Sequence, residues 1–290
     1  MNWHDPLLCG CKINLRLKVT SRRQDGMHEL STLFLPLDFP GDTLELHDAH
    51  ALTLTVPEFP ELAGESNLVY RAAKLFADCS GIAPQWHFVL HKTAPVAAGL
   101  GGGSADAAAA LRLLNARYEA FDAPALAKMA LSLGADVPFF LTRQPAWATG
   151  VGEVLEMVPM PEKLPEVLIV YPGFPVSAKW AYTHLTPDLI TPERAGIKDD
   201  FAAAFTDPSN ADWQSLCRND LAVALWKKFP LLTLLRDELT ASGAVAVQVS
   251  GSGSSLFALF GCGSQAAAES LKAKFGHLHG FRIFTGGKEW

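Results

Sequence analysis

Leu7 to Val19 reads as extended and rich in branched residues, and around Lys12 apolar and polar side chains alternate with period two, placing Ile13, Leu15 and Leu17 on one side and Lys12, Asn14 and Arg16 on the other. That pattern predicts a strand whose polar side faces solvent. Further strands are predicted over 29–37, 43–47 and 52–56, with Pro40-Gly41-Asp42 as a turn between the first two. Ser66 then offers an N-cap for a helix carrying Leu68, Ala72, Leu75, Phe76 and Cys79 at helical spacing, closed before Gly81. A strand over 86–90 follows. Two more helices are predicted, one from Ala105 to about Tyr118 and one from about Pro124 to Leu133, stopped by Gly134. Residues 146–158 return to strand character, and Gly150 and Gly152 mark a close backbone approach there.

The proline-rich stretch from Pro159-Met160-Pro161 to Pro165 is the expected domain boundary, dividing the chain into 1–160 and 161–290. Beyond it come a short buried strand over 167–171 and helices between about Ser177 and Trp226. The tail predicts a helix over 230–241, strands over 244–249 and 255–260, a helix over 264–275 and a strand over 281–285. Helices alternating with short strands in this way predict an α+β sandwich with helices on one face. There is no internal repeat and no low-complexity segment.

Composition narrows the function classes. Of 290 residues 49% are apolar and 19% charged, a globular balance. The net charge of −6 argues against a general nucleic-acid binder, which needs a basic face to displace counterions. No stretch approaches the ~20 apolar residues of a membrane helix. The start, Met-Asn-Trp-His-Asp, lacks the positive opening of a secretory signal, and Leu8-Cys9-Gly10-Cys11 has too little chain before it for a lipoprotein box. Five cysteines, odd in number and mostly scattered, are expected to be free thiols in a reducing cytoplasm. The histidine pairs at 47 and 50, 87 and 91, and 277 and 279 lack a third ligand at a recognisable spacing.

The informative feature lies between a predicted strand and a predicted helix, at Gly99-Leu100-Gly101-Gly102-Gly103-Ser104. Four glycines in five positions remove each Cβ that would keep a bulky anion from the backbone. The helix that follows begins with unpaired N–H groups and the positive end of its dipole, so phosphates can be held without a dedicated cation. Ser104 either caps that helix or presents its hydroxyl to a phosphate or a magnesium ion. The loop is not a P-loop, because no Gly-Lys-Ser/Thr follows, and serine replaces the third glycine of a dinucleotide fingerprint. Phosphate binding is the leading reading, with a purely structural strand-to-helix turn as its alternative.

The segment Pro95-Val96-Ala97-Ala98-Gly99-Leu100-Gly101-Gly102-Gly103-Ser104-Ala105 also resembles the second motif of the GHMP kinases, the galactokinase, homoserine, mevalonate and phosphomevalonate kinase superfamily. Lys12-Ile13-Asn14-Leu15, Asp25-Gly26-Met27-His28 and Leu133-Gly134-Ala135-Asp136-Val137-Pro138-Phe139 are similar to one branch of it. That branch phosphorylates the 2-hydroxyl of a cytidine diphosphate conjugate of methylerythritol in the non-mevalonate route to isoprenoids. Gly150-Val151-Gly152-Glu153 and Ser250-Gly251-Ser252-Gly253-Ser254 match in order and spacing, so the resemblance runs from about residue 8 to residue 260.

The resemblance implies a two-domain GHMP-kinase fold: an N-terminal mixed β/α domain of the ribosomal S5 domain 2-like type and a C-terminal ferredoxin-like α/β sandwich. It implies ATP as donor with Mg2+, Ser104 serving the metal, and a small-molecule acceptor without nucleic-acid or membrane partners, in a monomer or weak homodimer. It makes Asp136 the base for the acceptor hydroxyl and Lys12 its cationic neighbour. Read without it, Asp136 is a helix N-cap or turn aspartate and Lys12 a solvated strand residue. Asn67, Leu68 and Lys92 become neighbours of the adenine and ribose, against readings as a capping-region polar residue, a core leucine and a solvated strand-end lysine. Asn14, Met27, His28, Val151 and Tyr182 fall to the acceptor, with Tyr182 stacking on cytosine.

Two positions depart from the family pattern. Gly10-Cys11 replaces the usual Pro-Ala before Lys12. Met27 stands where an aromatic residue usually provides a second platform for the base, and a thioether lacks the rigidity and quadrupole of a tyrosine ring. The competing readings are another GHMP kinase of the homoserine or mevalonate type, which does not need Asp25-Gly26-Met27-His28, and a catalytically silent nucleotide-binding relative.

Overall fold

The computed structural model describes residues 3, 5–161 and 163–289. Readings of the chain start at residues 1, 2 and 4, and of position 162 in the proline-rich stretch, lie outside the described residues. The chain folds as two compact units drawn from separate stretches: residues 1–11, 36–96 and 101–144 form one, and residues 12–35, 97–100 and 145–290 the other. Strands β1 (Leu7–Arg22) and β2 (His28–Asp48) pair with each other and each contributes to both units.

The first unit adds β3 (Thr53–Thr55), α1 (Leu68–Ser80), β4 (Trp86–His91), α2 (Gly102–Tyr118), α3 (Ala123–Leu133) and α4 (Val137–Thr142). β4 runs antiparallel to β2, from Thr43 opposite His91 to Asp48 opposite Trp86, and parallel to β3. Trp86, Phe88 and Leu90 alternate inward along β4, as period two requires. Helix α2 is buried on nearly every side, and its run of alanines lets α1, α3 and α4 pack closely around it.

Local signals shift three boundaries. The predicted strands over 29–37 and 43–47 are one strand, and Pro40-Gly41-Asp42 lies inside it. Gly41 serves a close crossing, since a Cβ there would stand 2.7 Å from the Leu8 side chain. Asp42 is an anchor: its fully buried carboxylate accepts from the backbone N–H of Thr93 and Ala94 at 2.6 and 2.7 Å. Helix α1 is capped by Asn67, one residue past the expected Ser66, through a bond from Val69 N–H. Helix α2 begins at Gly102 and takes two glycines and Ser104 into its first turn, three residues ahead of the expected start.

In the second unit the predicted strand over 146–158 is a hairpin of β5 (Ala146–Thr149) and β6 (Val154–Met157), turning at Gly150 and Gly152, both with positive φ. β5 pairs antiparallel with residues 32–34 of β2. Then follow β7 (Glu166–Tyr171), α5 (Ala178–Thr183), α6 (Ile197–Thr206), α7 (Trp213–Leu216), α8 (Ala222–Lys228), α9 (Pro230–Ala241), β8 (Ala246–Val249), β9 (Leu256–Phe260), α10 (Ser264–Phe275), β10 (Arg282–Thr285) and β11 (Lys288–Glu289). The order β11-β10-β7-β9-β8 makes an antiparallel sheet. Leu232, Leu235 and Leu239 of α9 and Ala267, Ala268 and Leu271 of α10 pack with Leu168, Val170, Leu256 and Ala258 of that sheet in one core. The architecture is α+β with a C-terminal α/β sandwich. No helix among the described residues is long and apolar enough to cross a membrane, and all five cysteines are free thiols.

Candidate active site

The polar side of β1 does not face solvent. Lys12, Asn14 and Arg16 are 4%, 2% and 4% exposed, so each needs an internal partner. Lys12 Nζ donates to Asn14 Oδ1 at 2.6 Å and lies 5.0 Å over the Phe34 ring. Asn14 Nδ2 donates to Thr32 Oγ1 at 2.8 Å, and Thr32 in turn donates to the Arg16 carbonyl at 2.6 Å. This chain of bonds fixes the ammonium of Lys12 on the strand face.

The first half of the glycine loop belongs to the same unit. Ala97, Gly99 and Gly101 have φ of 53°, 81° and 72°, and the alanine is strained where a glycine would not be. Three successive carbonyls are taken up by other segments. Ala98 O accepts from Ser255 N–H at 3.0 Å, Gly99 O from Ser250 Oγ at 2.9 Å, and Leu100 O from Lys12 N–H at 2.8 Å. Ser250 Oγ also accepts from Asn14 N–H at 3.4 Å. Asn219 holds the 249–251 backbone by donating to Val249 O and Gly251 O at 2.8 and 2.7 Å. A Cβ on Gly251 would stand 3.5 Å from Lys12 Nζ and 3.3 Å from Asn14 Oδ1. The structure thus gathers Lys12, Asn14, Gly99, Leu100 and the Ser250–Ser254 turn. Asn219, Thr32 and the role of Ser250 were not legible beforehand: only the Ser-Gly repeat gave a signal, and it named no partner.

The second half of the loop starts α2 in the first unit. Gly101 is the N-cap, in a left-handed conformation and with no side-chain cap bond. Ser104 therefore does not cap the helix; it sits in the first turn, where N–H groups lack intrahelical acceptors. A Cβ on Gly102 would stand 3.6 Å from Lys92 Nζ, and one on Gly103 3.7 Å from Leu68 Cδ1. Leu68, Lys92, Gly102 and Gly103 are accordingly neighbours, with Asn67 at the start of α1. Pro95, Ala98, Leu100 and Ala105 are buried along this stretch, whereas Val96, Ala97 and Gly103 are exposed.

Lys92 is not a solvated strand-end residue. Its ammonium is buried between Asp42 and Asp106, 2.8 Å from the latter. Burial pulls its pKa down, but the two carboxylates outweigh that and hold it above the ordinary lysine value. Asp106 pays the reciprocal cost: burial, with Asp42 adding to it and Lys92 opposing it, pushes its pKa up to about 7. Asp106 Oδ1 is a buried acceptor without a hydrogen-bond partner.

Asp136 occupies the N-cap position of α4, but its carboxylate makes no capping bond. The helix is started instead by Pro138 in its first turn, and Val137, Phe139 and Phe140 bury it against α2 and α3.

Of the residues expected at the acceptor, Met27 and His28 lie at the β1–β2 hairpin. Gly26 takes φ of 84°, Asp25 accepts from Met27 N–H at 2.9 Å, and Met27 O accepts from Arg23 N–H at 2.8 Å. This turn delivers His28 to the start of β2, where its ring stacks on Tyr182 of α5 with centroids 5.3 Å apart and planes 22° apart. Burial, then the Arg22 charge, lower the His28 pKa and favour the neutral imidazole. Met27 is 52% exposed beside this pair in sequence. Val151 lies in the β5–β6 turn, where its N–H donates to Glu153 at 2.6 Å and the neighbouring Gly150 O accepts from Leu30 N–H at 2.8 Å.

A glycine-lined strand-to-helix loop with its carbonyls turned into the protein, in an α+β chain carrying a buried strand lysine, defines an ATP-dependent small-molecule kinase. The chain matches the family profiles "GHMP kinases N terminal domain" over residues 67–144 and "GHMP kinases C terminal" over residues 207–278. It is 38% identical over 303 aligned positions to the 4-diphosphocytidyl-2-C-methyl-D-erythritol kinase of Oleidesulfovibrio alaskensis, covering 90% of this chain and 92% of that one. With the enzyme of the same name from Nitratidesulfovibrio vulgaris it shares 37% identity over 98% and 99% of the two chains. Among solved structures, a 4-(cytidine 5'-diphospho)-2C-methyl-D-erythritol kinase superposes with a TM-score of 0.82 at 34% identity, over 97% of this chain and 98% of that one. The homoserine kinase of Cytophaga hutchinsonii shares the fold, with a TM-score of 0.75 at 19% identity over 100% and 96%. The chain belongs to the GHMP kinases and, among them, to the family of 4-diphosphocytidyl-2-C-methyl-D-erythritol kinases.

Proposed function

We propose that this enzyme transfers the γ-phosphoryl group of ATP to the 2-hydroxyl of 4-diphosphocytidyl-2-C-methyl-D-erythritol, a step in the non-mevalonate route to isoprenoid precursors. The observation that carries the acceptor is the stacked pair His28 and Tyr182, a planar platform beside a neutral imidazole able to bond a pyrimidine edge. The glycine loop and the first turn of α2 receive the triphosphate through backbone N–H groups, and Asn67, Leu68 and Lys92 flank the nucleoside. Asp136 takes the proton of the attacking hydroxyl. The Lys12 ammonium stabilises the charge that develops on that oxygen, and Asn14 orients the ammonium. Phosphoryl transfer needs little basicity early, so placement and field matter more than the proton affinity of Asp136.

No three His, Cys, Asp or Glu side chains converge as metal ligands among the described residues. A Mg2+ arriving with the nucleotide would be held chiefly through phosphate oxygens, with the Ser104 hydroxyl as a protein ligand. Bound there, the ion would neutralise phosphate charge. Residues 1–160 carry the donor site in this reading and residues 161–290 contribute Tyr182. Free thiols and an anionic small-molecule substrate support a cytoplasmic enzyme; the family resemblance adds a monomer or weak homodimer. The test is a coupled ADP-release assay with the cytidine conjugate, homoserine and mevalonate. Turnover of the conjugate alone is expected; turnover of homoserine or mevalonate instead would reassign the acceptor, and turnover of none would make the protein a silent relative.

A further inference from the structure

Two cations that the proposed reaction leaves unused sit on the same strand face as Lys12. Arg16 and Lys18 occupy the alternate positions beyond Asn14 on β1, with side chains 5% and 4% exposed. Arg16 forms a two-pronged pair with Glu193, both bonds 2.8 Å, and donates to Leu216 O at 3.1 Å. Lys18 Nζ lies 3.0 Å from Asp220 Oδ2 and donates to Leu189 O at 2.5 Å. The fully buried Asp220 carboxylate also accepts from Val19 N–H at 3.0 Å and Arg218 Nε at 2.7 Å.

Charges this deep cost several kcal/mol each to desolvate, and apolar residues of similar volume stabilise a fold about as well. What such pairs supply is geometry. Leu189 and Glu193 lie seven and eleven residues beyond Tyr182, so the two cations fasten the chain that leaves α5 directly onto β1. Between these points Leu17, Val19 and Leu30 pack with Ala181 and Leu185, and Tyr182 rests against that cluster. Leu30 is two residues past His28, so one apolar cluster supports both stacked rings.

We propose that Arg16 and Lys18 are positioning residues for the acceptor: by holding residues 189–193 on β1 they set the Tyr182 ring over His28, and affinity for the cytosine ring depends on two cations that never touch it. This rests on the reading that His28 and Tyr182 receive a pyrimidine.

The test uses the full-length enzyme and the variants Lys18→Met and Glu193→Gln, with ADP release measured while each substrate is varied, and hydrogen exchange followed by mass spectrometry. The KM for the cytidine conjugate is expected to rise roughly tenfold in each variant, on the scale of lost charged hydrogen bonds, while kcat and the KM for ATP stay within about twofold. Exchange of residues 178–193 is expected to accelerate, and that of residues 246–260 to stay unchanged. Should Lys18→Met fail to fold, Glu193→Gln keeps an acceptor for Arg16 and carries the same expectation. Equal rises in both KM values, or exchange that accelerates throughout, would reduce the pairs to general stability and overturn the inference. Turnover by the unaltered enzyme with unchanged KM in the variants overturns the inference alone. No turnover of the conjugate by the unaltered enzyme removes the acceptor reading and the inference with it.

Discussion

Gly99 and Ser250 meet backbone to backbone across 151 positions of sequence: the Ser250 hydroxyl donates to Gly99 O at 2.9 Å, and a Cβ on Gly99 would stand 2.1 Å from Ser250 O. This contact engages the Gly99 carbonyl inside the protein, as Ser255 N–H and Lys12 N–H engage those of Ala98 and Leu100. It also makes Gly99 irreplaceable for two separate reasons, the positive φ of 81° and the missing Cβ.

Gly99→Ala and Gly103→Ala should therefore fail differently. At Gly99 the left-handed backbone costs an alanine about 1–2 kcal/mol before the collision is counted, so both thermal stability and ATP affinity should fall. Gly103 lies in the first turn of α2, and its new Cβ would meet only Leu68 Cδ1 at an ordinary 3.7 Å. An alanine there should leave the melting temperature unchanged or raised and increase the KM for ATP on the order of tenfold, by filling space for a phosphate. Unaltered ATP kinetics in Gly103→Ala would remove the first turn of α2 from the donor site.

Asp136→Asn should lower kcat by roughly 10²–10⁴-fold, the usual worth of a positioned general base. Binding of a non-hydrolysable ATP analogue, measured by calorimetry, should stay within a few-fold. Retained turnover would remove Asp136 from the chemistry.

These tests separate what the sequence shows from what only folding reveals. Local chemistry was legible: the helices over 230–241 and 264–275 and the glycine loop follow from neighbours in sequence. Pro40-Gly41-Asp42 misled because turn residues were read without the strand they cross; the Asp42 carboxylate is consumed by Lys92, Thr93 and Ala94, some fifty residues away. The same holds for β1. Alternation correctly grouped Lys12, Asn14 and Arg16 on one side, but could not say that the side is buried, since Thr32, Glu193, Asp220 and Ser250 supply the partners from distant segments.

Met27→Tyr should tighten acceptor binding. The thioether at this position is 52% exposed and adjoins His28 in sequence, so a ring placed there adds a rigid apolar face at little cost to the fold. A decrease of about three- to tenfold in the KM for the cytidine conjugate is expected, in the range of one aromatic contact, with ATP kinetics unchanged. An unchanged KM would mean that residue 27 stands outside the acceptor clamp.

The stability of the enzyme should depend on pH through Asp106. Burial raises its folded-state pKa to about 7 from an ordinary 3.8. Between those values the folded protein holds a proton that the unfolded chain has released. Stability from this group is therefore full below about pH 4, declines as pH rises towards 7, and is flat above. The physical origin is charge balance: the single Lys92 ammonium faces two buried carboxylates, Asp42 and Asp106, and offsets only part of the cost of burying the second charge, whose Oδ1 has no hydrogen-bond partner. Asp106→Asn supplies a neutral side chain of the same shape. Urea denaturation midpoints should agree between parent and variant at about pH 4 and diverge progressively up to pH 8, the variant being more stable there by an amount on the order of one to a few kcal/mol. Other titrating groups contribute equally to both proteins, so the difference between the curves isolates this carboxyl. Parallel curves from about pH 4 to pH 8 would mean that Asp106 is ionised throughout and that Lys92 stabilises both carboxylates at once.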